Sequence, residues 1–108
     1  MTYALTGAFR ATPGDRDALA AHLLHAAELL QTDPRCLLYA VGTTDEPDEV
    51  AVVELWTDAE AHAASLHAPG VGALVAVARP LIAGTSFRHE VTVLGGKGLP
   101  DDGGRPTG

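Results

Sequence analysis

The chain has 108 residues, a formal net charge of −7 and only 7 Lys and Arg. That length suggests one domain with a modest core, and so few, scattered basic residues argue against nucleic acid as a partner, because phosphate binding needs them clustered. Hydrophobic residues make up 46% of the chain, which excludes a disordered protein, and a single cysteine excludes an intrachain disulfide and fits a reducing compartment.

Tyr3 to Ala11 alternates, with Tyr3, Leu5, Gly7 and Phe9 on one side and Ala4, Thr6, Ala8 and Arg10 on the other. This predicts a first strand. Thr12-Pro13-Gly14-Asp15 reads as a helix start, because Thr12 can cap and proline suits the first helical position. The helix is expected to reach about Gln31, where Thr32-Asp33-Pro34 ends it. Leu19, Leu23, Ala26 and Leu30 form one apolar stripe. His22 and His25 lie on its flank, and since nothing completes a metal-ligand set, a solvated or capping role is expected. Cys36 to Thr43 is a second strand, with Cys36 a buried structural thiol. The acidic turn from Asp45 to Glu49 lacks the alternating oxygen ligands and glycine of a calcium loop, and reads as a solvated hairpin.

Glu49 to Trp56 is the third strand, marked by the β-branched Val50, Val52 and Val53. Val52, Glu54 and Trp56 share one side, and Ala51, Val53 and Leu55 the other. An Ala-rich helix follows over about Asp58 to His67, capped by Asp58 and broken by Ala68-Pro69-Gly70. A shorter helix spans about Val71 to Ala78. Thr85 to Leu94 is the fourth strand, with Phe87, His89, Val91 and Val93 pointing one way and Ser86, Arg88, Glu90 and Thr92 the other. Residues 95–108 are rich in Gly, Pro and Asp and read as a flexible tail after a domain of residues 1–94. No leader-like segment and no long apolar run is visible, so the expectation is a cytoplasmic protein with no membrane partner.

The order β-α-β-β-α-β predicts an α+β, ferredoxin-like subunit, an antiparallel sheet with helices on one face. The third strand is apolar on both faces, so the uncovered face needs a partner. A second copy supplies one through a two-fold interface, which predicts a homodimer with sheets back to back.

Three stretches carry a family resemblance. They are Glu54-Leu55-Trp56-Thr57-Asp58-Ala59-Glu60-Ala61-His62, then Ala68-Pro69-Gly70-Val71, then Ala78-Arg79-Pro80-Leu81-Ile82. Together they resemble the antibiotic biosynthesis monooxygenase domain over roughly residues 3–94. The resemblance implies a dimeric α/β-barrel of ferredoxin-like subunits. It also implies, for some members, oxygenation of phenolic, quinol or anthrone-type substrates without metal or flavin. Ser65 stands where many members carry a histidine, and Val52 where some polyketide-tailoring members carry an asparagine. Ser65 and Val75 stand where haem-degrading relatives carry tryptophan and histidine, so a haem reading fits poorly.

The catalytic candidates are Trp56, Glu54, His67 and His62, and the substrate-binding candidates are Tyr39, Ser65, Arg79 and His89; no cofactor and no metal is expected. Trp56 offers a flat wall and one N–H donor, and either marks a pocket or locks strand to helix in the core. Glu54 could act as a base if burial raises its pKa, or pair with Arg79 or Arg10. His62 and His67 stand about 140° apart around a helix, so they are not a metal pair, but either could face a cleft as general base. Tyr39 and His89 could line a cavity between sheet and helices. Two functions follow: a small cofactor-free monooxygenase, or a close relative, acting on an aromatic polyketide or quinol; or a non-catalytic dimeric barrel that binds a small hydrophobic ligand or serves as an accessory protein.

Overall fold

The computed structural model describes residues 1–99. The elements run β1 (Tyr3–Ala11), α1 (Arg16–Leu29), β2 (Cys36–Thr43), β3 (Glu49–Trp56), α2 (Ala59–Ser65), α3 (Val71–Ala78), a 3₁₀ turn at Arg79–Leu81, and β4 (Ile82–Thr92). The sheet order is β2-β3-β1-β4, with every neighbouring pair antiparallel. This is the ferredoxin-like α+β arrangement. Residues 95–99 belong to no helix or strand, and residues 100–108 of the expected tail lie outside the described residues.

Besides α2 and β4 each ending two residues early, three boundaries differ from expectation, each for a local reason. The helix does not start at Thr12-Pro13. Gly14 takes φ 83° and the Asp15 N–H bonds to the Thr12 carbonyl at 2.9 Å, which is a type II turn with proline and glycine in its two central places. A left-handed residue cannot continue a helix, so α1 begins after the turn. Its far end falls at Leu29, and a Leu30–Asp33 turn replaces the last expected residues. β4 begins at Ile82, three residues before the expected Thr85. Its register on β1 slips between Ala8 and Phe9 and again between Arg10 and Ala11, so two irregularities interrupt the alternation there.

The side of the sheet carrying Leu5, Val50, Val52 and Trp56 meets the helices. Two core clusters form on it. One joins Tyr3, Leu5, Leu30, Trp56 and Ala61; the other joins Ala11, Leu19, Val50 and Ala78. Trp56, Leu19 and Val50 are the largest side chains with no exposure. On the opposite side Leu38, Val53, Phe87 and Val91 remain 43, 41, 43 and 42% exposed. The registers Ala4↔Leu55, Ala4↔Val91 and Ala8↔Phe87 place these side chains on one continuous face.

Two local devices hold the helices that flank the cavity described below. Gly70 precedes α3 at φ 85°, and a Cβ there would also come 3.4 Å from Leu29 of α1, so glycine suits both the backbone and the packing. Asp58 precedes α2 in extended conformation, and its Oδ1 accepts from the Ala61 N–H at 2.7 Å. That bond satisfies one of the orphan donors of a seven-residue helix. We expect Asp58→Ala to destabilise the protein by about 1 kcal/mol and Asp58→Asn by much less, as measured by urea unfolding.

Candidate functional site

Between the two core clusters the sheet and helices do not close. They leave a cavity of about 320 Å³ walled by all four strands and all three α-helices. Leu5, Phe9 and Val52 form part of its sheet wall, and Leu23, Val71, Leu74 and Val75 part of its helical wall. Six polar side chains interrupt this apolar lining: His22, Tyr39, Glu54, His62, Ser65 and Arg88. Gly7 of β1 lies in register between the lining residues Val52 and Arg88. It lies between Leu5 and Phe9 on the inward side of β1, and a Cβ there would come 3.2 Å from the Phe87 carbonyl oxygen.

Glu54 is the chemical centre. It is 7% exposed, yet it faces the apolar wall because strand alternation places it with Val52 and Trp56. The Trp56 indole N–H donates to Glu54 Oε1 at 3.1 Å. His62 Nε2 lies 3.8 Å from the same oxygen. Oε2 has no hydrogen-bond partner among the described residues. No buried side-chain oxygen or nitrogen among those residues lacks a partner, so Oε2 is open to the cavity. Burial pushes the Glu54 carboxyl above the ordinary glutamate range. The Trp56 hydrogen bond, the His62 ring and the Arg88 charge oppose that rise without cancelling it.

His62 is held by its neighbours. Its ring centroid lies 5.5 Å from that of Tyr3 and 5.7 Å, edge-on, from that of Trp56. Ser65 donates its hydroxyl to the His62 backbone carbonyl at 2.6 Å, so it meets the cavity as an acceptor. Tyr39 stands opposite Glu54 in the β2–β3 register, and burial, then the charges of Glu54 and Cys36, raise its phenol.

The structure therefore gathers Glu54, His62, Tyr39 and Ser65 around one space. Trp56 is fully buried in the core and does not line the cavity; it reaches the site through its bond to Glu54. His67 is exposed beyond the last turn of α2, and Arg79 is exposed in the 3₁₀ turn; neither lines the cavity. His89 points to the open sheet face, 5.8 Å from Phe87, because it alternates with the inward-facing Arg88. Neither Arg79 nor Arg10 pairs with Glu54. The Arg10 guanidinium packs over Gly84, and the group beside Glu54 is His62.

Two lining residues stand apart from the sequence expectations: Arg88 was not singled out, and His22, expected to be solvated or capping, lines the cavity instead. His22 follows Leu19 by three residues and precedes Ala26 by four, so the apolar stripe of α1 was wide enough to include it. Arg88 was readable from the phase of β4, where it opposes Phe87 and His89. Among the described residues no cluster of three or more His, Cys, Asp or Glu is placed to hold a metal ion. Among the described residues no helix is long and apolar enough to cross a membrane.

The family model for antibiotic biosynthesis monooxygenase matches residues 2–77. No curated protein matches the chain. Among solved structures, a Chloroflexus aurantiacus J-10-fl protein, provisionally named an antibiotic biosynthesis monooxygenase, is 42% identical, with a TM-score of 0.83 over 93% of this chain and 100% of that one. NE2512 from Nitrosomonas europaea, of unknown function, is 26% identical, with a TM-score of 0.74 over 93% of this chain and 95% of that one. SnoaB from Streptomyces nogalater, a cofactor-independent oxygenase, shares the fold at 15% identity, with a TM-score of 0.73 over 91% of this chain and 98% of that one. An inward carboxyl held by the tryptophan two residues on, followed by an Asp58-capped helix, lies within the matched residues, and the chain belongs to the antibiotic biosynthesis monooxygenase family.

Proposed function

We propose that the protein is a cofactor-independent monooxygenase that oxidises a small aromatic, polyketide or quinol-type substrate with dioxygen. The observation that carries this reading is Glu54, a buried carboxyl with one oxygen bound to Trp56 and the other open to an apolar cavity. A cavity of about 320 Å³ lies at the small end of the usual range for ligand sites, about 300–1,000 Å³.

The substrate in this reading has an acidic ring C–H or O–H, as an anthrone or a quinol does. Glu54 Oε2 takes the proton, and its raised pKa makes it a stronger base than an exposed carboxylate. Trp56 is a positioning residue: its N–H keeps the carboxylate accessible in spite of burial. His62 supplies an adjacent group that stabilises the ionised carboxylate when protonated. The substrate anion then reduces dioxygen and bonds to it as a peroxide anion, the proton held by Glu54 converts this to a hydroperoxide, and loss of water from it leaves a carbonyl. For a ring methylene the sum is CH₂ + O₂ → C=O + H₂O. The carbon loses the electrons that dioxygen gains, and the proton held by Glu54 leaves in the water.

A second reading is a non-catalytic barrel that binds a hydrophobic ligand. Ser65 and Val52, which stand where other members carry histidine or asparagine, favour it. In either case we propose that a second copy covers the open sheet face, giving a dimeric α/β-barrel. Light scattering should then report twice the 11.1 kDa chain mass, and Phe87→Glu or Val53→Lys should shift the protein to monomer. A wild-type monomer at micromolar concentration would count against the dimer.

Oxygen uptake by chelator-treated protein with anthrones, naphthols and quinols, corrected for spontaneous oxidation, tests the enzyme. Uptake is expected to persist in chelator. Glu54→Gln should lower kcat about 10²-fold or more, the usual contribution of a general base, and Trp56→Phe should lower it less. Ligand binding with no uptake across the panel would support the non-catalytic reading instead.

Glu54 also has a stability signature. The folded protein holds the Glu54 proton to higher pH than the unfolded chain does, so its stability falls as pH rises through that interval. Above the interval the full cost of burying the charge is present; below the ordinary glutamate range none is. Glu54→Gln, which keeps an acceptor for Trp56, should melt above the wild type at neutral pH. Differential scanning calorimetry should show the gap closing as pH falls through the carboxylate range.

A further inference from the structure

We propose that Arg88 makes this cavity selective for aromatic acids, anchoring a carboxylate on the ligand at the β4 side while the ring system spans the sheet toward Glu54. The proposal rests on the cavity being the substrate site, and it names the substrate class that site takes.

Charge is the first argument. Among the described residues lining the cavity, Arg88 is the one Arg or Lys and Glu54 the one acid. Glu54 is already engaged by Trp56 and flanked by His62, and among the described residues the acid paired with Arg88 is Glu90, which does not line the cavity. The remaining lining, His22, Tyr39 and Ser65 apart, is apolar and offers an unpaired carboxylate little else to bind. The chain as a whole carries −7, so any preference for an anion must come from a local cation rather than from the general field.

Hydrogen-bond supply is the second. The acid nearest the Arg88 guanidinium is Glu90, through a single long contact of 3.4 Å. The same Glu90 oxygen already accepts the Tyr3 hydroxyl at 2.8 Å. A guanidinium has five N–H donors in a fork that matches a carboxylate, so most of the donors of Arg88 remain unspent. Its side chain is 51% exposed, which leaves it accessible to an incoming group.

Position is the third. Arg88 pairs with Gly7, and Gly7 with Val52, so no side chain stands between Arg88 and the cavity on the neighbouring strand. Glu54 lies on β3, one strand beyond β1, at the next inward row. Two strand spacings across and two residues along put the backbones of Arg88 and Glu54 about 12 Å apart. A fused two-ring system with a carboxylate has that reach. Bound this way, the acid end fixes the register of the ring, and Glu54 Oε2 meets its far side.

Isothermal titration calorimetry at fixed ionic strength, with 2-naphthoate and its neutral isostere 2-naphthamide, tests the proposal. Wild type should bind 2-naphthoate about tenfold or more tighter than 2-naphthamide, the order expected of a charge-assisted hydrogen bond. Arg88→Gln should remove that preference while still binding 2-naphthamide, which also shows that the variant is folded. Arg88→Lys should keep part of the preference. Leu74→Trp, which fills the cavity, should remove binding of both probes. Equal binding of the two probes by wild type, or a preference that survives Arg88→Gln, would overturn the role of Arg88 and leave the cavity as the ligand site. Binding of neither probe, or binding unaffected by Leu74→Trp, would overturn the site itself. Neither probe needs to be oxidised, so the result stands apart from whether oxygen is consumed.

Discussion

A glutamate carboxyl on an otherwise apolar sheet face is costly to bury unless something compensates it. Here the compensation comes from the core itself. Trp56, two residues on and on the same side of β3, turns its N–H onto Oε1, and His62 approaches the same oxygen from α2. The three side chains restrain one another: the indole edge packs on the imidazole, and both face the carboxyl. Because Trp56 has no exposure and packs with Leu5, Leu30 and Ala61, the position of Glu54 is set by the packing of the whole β1–β3–α2 corner. Compensation is incomplete, and the residual strain appears as a raised carboxyl pKa. A group that burial has made reluctant to ionise is suited to taking and returning a proton.

The cavity lies between two well-packed clusters and opens to the surface beside the exposed Leu66 and Val75. Small residues, Ala26 and Ala78, line it on the helical side. Its polar groups come from four separate elements besides β3: Tyr39 from β2, Arg88 from β4, His22 from α1, and His62 with Ser65 from α2. No single stretch of sequence carries the site. Family membership accounts for the scaffold, but Ser65 and Val52 mean that the polar lining of this chain has to be understood from its own residues.

The strand alternation that aims Glu54 inward also aims Val53, Phe87 and Val91 outward. The sheet therefore has an apolar face turned away from the helices, and the two faces cannot be changed independently by sliding a strand. A one-residue slip would bring Glu54 onto the open face and Val53 into the cavity. The bulges in β4 adjust the strand near Phe9 and Ala11 and leave the register intact where Arg88 and Glu90 stand opposite Gly7 and Leu5.

Element order, strand phase and the Asp58 cap were legible in the sequence, because they depend on side-chain alternation and on contacts between residues a few places apart. The inward placement of Glu54 with Trp56 followed from the same alternation. Local chemistry misled at Thr12-Pro13, where a type II turn and a helix start use the same residues, and at β4, where irregular pairing with β1 has no sequence mark. The histidines show the larger limit. His22, His62, His67 and His89 are alike in type and none has a distinctive local context, yet two line the cavity and two face away from it. What separates them is the rotation of α1 and α2 about their axes and the side of the sheet on which the helices pack. The sequence by itself determined which residues share a face; only the tertiary structure decided which faces meet, because that depends on packing between elements distant in the chain.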